Sequence, residues 1–211
     1  VKAAHPFENR DERLLATVLM NGVLFKGKRI ATYPGGADAM PNPNATKTGY
    51  YLRKFLNENV NIQTGGGSDG HVVPLFRLAE IYLNYAEALN EYDPTNPDIA
   101  VYLNKIRERV SLPDVPSGLT QEQMRTLIHH ERRVELAFEE HRFWDVRRWK
   151  VASSTLGAPV KGVKITQDDA GNFTYSPVQV EQRVFQPKMY WYPIPQSETL
   201  KLHHWEQNKG W

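Results

Sequence analysis

Between residues 74 and 150 apolar positions recur at three- and four-residue steps, a rhythm that the rest of the chain lacks. Leu75, Leu78, Tyr82, Tyr85, Ala86 and Leu89 form one stripe, with Arg77, Glu80, Asn84, Glu87 and Asn90 opposite. This predicts an amphipathic helix of about four or five turns. The DPTNP segment ends it and starts another, with Asn96 placed to cap and Pro97 suited to a first helical turn. The second helix is expected to bury Ile99, Leu103, Ile106 and Val110 and to expose Asn104, Lys105, Arg107 and Glu108, until SLPDVPSG stops the pattern. Thr120 and Gln123 form a capping box for a third helix, with Leu119 and Met124 as its hydrophobic staple. Its apolar stripe runs Met124, Leu127, Ile128, Val134 and Phe138, and Glu131 falls on the same stripe. A short fourth helix is expected over 141–150.

The two helices between 74 and 110 make a hairpin of tetratricopeptide size, about 34 residues. One hairpin cannot bury its own face, so neighbouring repeats are expected upstream or in a partner. The flanks differ. Residues 1–73 read as a loop-rich lead-in, with three Pro and three Gly in PGGADAMPNPNATKTG (34–49) and a flexible GGGSDG connection at 65–70. Between these, YYLRKFLNENV is a short amphipathic or extended piece. Residues 151–211 alternate partly between apolar and polar: VKGVKIT and NFTYS flank a QDDAG turn, and VQVEQRVF and MYWYPI suggest further short strands. PQSETL reads as a last short turn. The expected fold is mainly α: a tetratricopeptide-like helical hairpin plus further helices, with irregular loops and short β-hairpins at the C-terminal side, all in one domain over 1–211.

Composition narrows the function classes. The 26 basic and 24 acidic residues nearly cancel, leaving no electrostatic footprint for nucleic acid. With no cysteine there is no disulfide framework, thiolate metal ligand or Cys nucleophile. No apolar run reaches the ~20 residues of a membrane helix, and no signal peptide opens the chain. The beginning VKAAHPFENRDERL reads as mid-protein sequence. The five Trp fall late, at 144, 149, 191, 205 and 211, more in keeping with core or anchoring rings than with a binding platform.

The densest charged segment is ERRVELAFEEHRFWDVRRW (131–149). Glu131 and Glu135, one helical turn apart, could be read as the paired carboxylates of a glycoside hydrolase. The structural reading is an ion-pair network: Glu131 sits among apolar neighbours and needs a cation. Arg132, Arg133, Arg142, Arg147 and Arg148 are the nearby forks, and Asp145 can pair with Arg142 or Arg148 three residues away. His130 and Glu131 begin an HE pair, but Val134 stands where HExxH needs its second histidine. The adjacent pairs His129–His130 and His203–His204 point to different faces, so no metal site is expected. No P-loop and no G-x-S-x-G elbow occurs, and no cofactor is implied. Asn44-Ala45-Thr46 matches a glycosylation sequon, a triplet common by chance.

Six blocks, in order, resemble the SusD/RagB family of outer-membrane nutrient-binding lipoproteins. They are NRDERLLATV (9–18), TGYYLRKFL (48–56), PLFRLAEIYLNYAEALNE (74–91), LNKIRERVSLP (103–113), ERRVELAFEEHRFWDVRRW (131–149) and YWYPIPQSE with QNKGW (190–198, 207–211). Two turn positions depart from the family pattern: Glu140 where the family usually has Gly, and Lys209 where it has Pro. The resemblance implies the C-terminal portion of a surface-exposed lipoprotein whose anchor and further hairpins lie upstream. It implies non-catalytic capture of oligosaccharide or polysaccharide, in some members peptide, for a SusC-like TonB-dependent transporter. The family's ligand contacts follow no fixed motif, so none is carried over. From the residues themselves, the irregular loop offers a ring and polar groups for carbohydrate binding in Tyr33, Asp38, Asn42 and Asn44. The alternative is that this loop is ordinary solvated surface. The competing functions are a helical-repeat interaction module without its own ligand, and the hydrolase using Glu131 and Glu135.

Overall fold

The structure, a computed structural model, describes residues 6–60, 74–201 and 204–211. The GGGSDG connection and His203 lie outside the described residues. Four helices carry the expected α-helical middle: α2 (Leu78–Tyr92), α3 (Asp98–Glu108), α4 (Gln121–Glu135) and α5 (His141–Arg148). They follow a short α1 (Arg13–Thr17) and precede the short α6 (Ala152–Thr155) and α7 (Gln196–Thr199). Helix α2 packs on α3 and α4 through Leu83, Ala86, Ile99, Leu103, Ile106, Ile128 and Leu136, all buried. Each Leu or Ile among them contributes about 1.5–3 kcal/mol by leaving water, and Ala86 less.

Local chemistry starts α3 and α4 where expected. Asn96 Oδ1 accepts from the Asp98 amide at 3.0 Å and caps α3. At α4, Thr120 Oγ1 accepts from the Gln123 amide (3.3 Å) while Gln123 Oε1 accepts from the Thr120 amide (2.9 Å), completing the capping box. The turn between α4 and α5 places Phe138 and Glu140 at φ values of 63° and 66°. Glu140 therefore occupies a left-handed position, which favours glycine because a Cβ there crowds the backbone.

The face of α2 differs from expectation. The helix begins at Leu78 and buries Glu80, Leu83, Ala86 and Asn90, whereas Leu75, Leu78 and Tyr85 stand exposed. Glu80 and Asn90 were expected on the solvent side, but the contact with α3 and α4 rotates the stripe toward Leu83. Asn90 is accommodated by paired amide bonds: its Nδ2 donates to Gln121 O (3.2 Å), and Gln121 Nε2 donates to Asn90 O (2.7 Å). Phe138, expected in the α4 stripe, lies beyond the end of that helix and is exposed.

The lead-in contains short strands as well as loops. β1 (Val18–Leu19) pairs antiparallel with β4 (Tyr51–Leu52). β2 (Leu24–Phe25) and β3 (Lys28–Arg29) form a hairpin over Lys26-Gly27, both at positive φ, as a two-residue turn requires. The expected C-terminal hairpin is present as β5 (Val160–Gln167) and β6 (Phe173–Glu181). It presses on the loop: the Val163 amide donates to Thr48 O at 2.8 Å. A Cβ on Gly162 would meet Thr48 O at 2.6 Å, so only glycine fits that crossing.

The strand expected at MYWYPI is absent; a 3-10 turn spans Pro187–Tyr190. Proline lacks the amide a ladder needs, and Pro187, Pro193 and Pro195 interrupt the segment. Side chains of the tail satisfy its backbone instead. Gln207 bonds both the amide and carbonyl of Ile194 (2.7 and 2.9 Å), and Asn208 Nδ2 donates to Tyr192 O (2.6 Å).

Candidate functional site

Glu131 and Glu135 lie at the centre of a buried charge cluster. Glu131 was expected to pair within its own segment; its partners come from elsewhere. Arg13 Nη1 bonds Glu131 Oε1 at 2.6 Å, and Arg107 Nη1 bonds Oε2 at 3.0 Å. The same Arg13 nitrogen reaches Glu135 Oε2 at 2.9 Å, while its other edge holds Asp11 at 2.6 Å. Arg77 and Arg109 complete Glu135 at 2.6 and 2.7 Å, and Lys54 with Arg77 holds Glu139. Burial alone would raise the Glu135 carboxyl, but hydrogen bonds from Arg77 and Arg13 outweigh it and hold the group below the usual carboxylate range. Glu139 is lowered in the same way, by Arg77 and Lys54. A glycosidase acid needs the opposite shift. Both carboxylates are committed to tying the lead-in to the helices.

The second expected pairing is present in part. Asp145 bonds Arg148 (2.9 Å) and also Arg132 (2.7 Å), with Arg142 outside the pair. Arg148 and the Trp149 indole both donate to Glu87, whose carboxyl is held low: burial opposes it, and bonds from His129, Arg148 and Trp149 prevail.

The loop residues divide. Asp38 Oδ2 accepts from the Ala31 amide (2.8 Å), and Asn42 Nδ2 donates to the carbonyls of Gly36 (3.1 Å) and Ala37 (3.0 Å). These two side chains hold the loop's shape. The Tyr33 ring lies 5.0 Å from that of Phe173, across the loop–hairpin contact. Asn44 is exposed at a φ of 63°. A hollow of about 220 Å³ separates the loop from the hairpin, lined by Thr32, Met40, Thr46, Lys47 and Val163 among others.

A larger cleft, about 770 Å³, takes one residue of that loop, Thr48, into its lining. Phe7, Tyr50, Tyr51 and Phe138 give it rings; Arg10, Arg133 and Lys161 give it charge. The β1–β4 pair supplies Val18, Tyr51 and Leu52, and the turn after α4 supplies Phe138. Tyr51 links cleft and loop, donating to Asp38 O (2.7 Å) and accepting from the Thr46 amide (3.0 Å). Phe7 packs edge-on to Tyr50 at 6.2 Å. Burial raises the Tyr50 phenol above its ordinary value. Sequence reasoning missed this cleft because its lining comes from four separate stretches, 6–20, 48–52, 133–138 and 161. Among the described residues no group of three or more His, Asp or Glu is placed to hold a metal.

The helical middle thus carries a ring-lined cleft beside an irregular loop. Residues 2–211 match the SusD family across the chain, and the protein belongs to that family. A solved SusD-like protein from Bacteroides fragilis is 30% identical and superposes with a TM-score of 0.85, covering 97% of this chain and 40% of that one. "SusD-like protein P2" of Formosa agariphila is 36% identical over 126 residues, 56% of this chain and 24% of that protein. The fold, at a TM-score of 0.62 and 21% identity, is shared with surface glycan-binding protein A from Bacteroides uniformis, over 97% of this chain and 39% of that one. The chain thus spans well under half the length of these relatives.

Proposed function

We propose that this chain belongs to a non-catalytic protein that captures glycans at the bacterial outer membrane, as a surface-exposed lipoprotein, and passes them to a SusC-like TonB-dependent transporter. The observation that carries the reading is the open, ring-lined cleft. The faces of Phe138 and Tyr50 suit the C–H faces of sugar rings, and the phenol of Tyr50 makes no hydrogen bond to the described residues and is available to a sugar hydroxyl. Membership of the SusD family and the named activity of the Bacteroides uniformis protein support glycan as the ligand. The engagement of Glu131 and Glu135 with five arginine contacts supports binding without hydrolysis.

In this reading Asp38 and Asn42 hold the shape of the loop whose Thr48 lines the cleft, and Tyr33 and Asn44, outside that lining, are proposed as secondary contacts. Calorimetry against an oligosaccharide panel tests it. Tyr50→Ala and Phe138→Ala should each weaken binding at least ~10-fold, and Tyr33→Ala should weaken it less. Unchanged affinity in the first two removes the cleft from the proposal. Product formation from any of these glycans that disappears in Glu131→Gln would turn the reading to hydrolysis.

One observation favours a second reading, an interaction module built on the helical hairpin. Leu78, Ile81 and Tyr85 expose an apolar stripe at helical spacing along α2. Such a stripe suits another helical repeat or protein. A pull-down that recovers the transporter, combined with a silent glycan array, would favour it.

A further inference from the structure

Three cations line the cleft, and no acidic residue does. Some basic side chains of this protein are neutralised: Arg13, Arg77, Arg107, Arg109, Arg125 and Arg148 each meet a carboxylate within 3.0 Å. Arg10, Arg133 and Lys161 make no such pair among the described residues, and all three are exposed. The acid nearest Arg10 along the chain that has a described partner, Asp11, is held by Arg13. Arg133 also faces a like charge: Arg142 is pushed below its ordinary value first by burial and then by Arg133.

A neutral sugar uses a guanidinium or an ammonium only as a hydrogen-bond donor to its hydroxyls. An anionic sugar gains from each, because a guanidinium presents a planar fork to a carboxylate or a sulfate ester. The rings alongside leave the sugar's apolar face a place to stack. Resting on the capture reading above, we infer that the cleft takes an acidic oligosaccharide, with Tyr50 and Phe138 stacking the sugar rings and Arg10, Arg133 and Lys161 binding its anionic groups.

The test is calorimetry on the full 211-residue chain with three ligands of matched length: an oligogalacturonate, a sulfated galactan oligosaccharide and a neutral galactan oligosaccharide. At least one acidic ligand should bind ~10-fold or more tightly than the neutral one. Its affinity should fall as salt rises from ~0.05 to ~0.5 M, since these charges are open to solvent. The double variant Arg133→Gln/Lys161→Gln should remove that preference while leaving the melting curve unchanged, both side chains being exposed and unpaired. The two acidic arms separate carboxylate from sulfate as the recognised group.

If the neutral ligand binds as tightly as both acidic ones and its binding is lost in Tyr50→Ala, the charge inference is overturned and the capture reading stands. If an acidic ligand binds but ignores the double variant, the inference is overturned at this cleft. If none of the three binds, both fall.

Discussion

Replacing Arg13 tests whether the buried charge cluster holds the lead-in to the helical core. Arg13→Met keeps most of the aliphatic stem and removes the fork. Arg13 is 8% exposed, and its Nη1 lies 2.6 Å from Glu131 and 2.9 Å from Glu135. Without it, Glu135 keeps Arg77 and Arg109, but Glu131 Oε1 loses the partner at that distance and stays buried, with Arg107 on the other oxygen. Two charge-assisted bonds to buried carboxylates are lost, about 1.5–3 kcal/mol each. Breaking a buried pair on one side costs about 3–5 kcal/mol, which agrees. For a chain of this size that is a fall in Tm on the order of 10 °C. Urea denaturation followed by far-UV circular dichroism measures it. The second variant, Arg13→Met/Glu131→Leu, removes both the fork and the stranded carboxylate and should regain at least half of the loss. A single-variant loss below ~1 kcal/mol, or a double variant less stable than the single, refutes the reasoning.

Three further outcomes are expected. Asp11, held low first by its bond from Arg13, and Glu135 and Glu139, held low by their cations against burial, all have depressed folded-state values. The unfolded chain then binds more protons on acidification, so the urea midpoint should stay level above the unfolded carboxylate value of ~4 and fall steadily below it; a flat profile down to pH ~3 contradicts the assigned shifts. Leu83→Ala empties a fully buried site between α2, α3 and α4 and should cost about 2–5 kcal/mol in the same urea assay. Glu140→Gly relieves a side chain held at a φ of 66° and should raise stability by up to about 1 kcal/mol, whereas Glu140→Ala should not.

The starts of α3 and α4 were legible because they are settled within a few residues. The Thr120–Gln123 box and the Asn96 cap depend on side chains that reach only the next turn. The β5–β6 hairpin was legible for the same reason, since alternation and a QDDAG turn define it locally. The resemblance, built on six ordered blocks, added the family. Residues of the candidate loop were legible as a group but not in role. Only hydrogen bonds to Ala31, Gly36 and Ala37 show that Asp38 and Asn42 face their own backbone.

The sequence by itself determined the helical middle, the caps that start α3 and α4, and that Glu131 needs a cation; it did not show the short α1 and α6. Tertiary structure decided which cation: Arg13 lies 118 residues away along the chain and Arg107 lies 24 away, so no spacing rule links them to Glu131. It also chose the buried face of α2, where two apolar stripes compete and contact with α3 and α4 favours Leu83. The ring-lined cleft arises only when Phe7, Tyr50, Arg133, Phe138 and Lys161 converge from distant stretches. Local hydrogen bonds and periodicity act over one or two turns. Burial and charge pairing depend on which surfaces meet, and that is fixed only when the chain is folded.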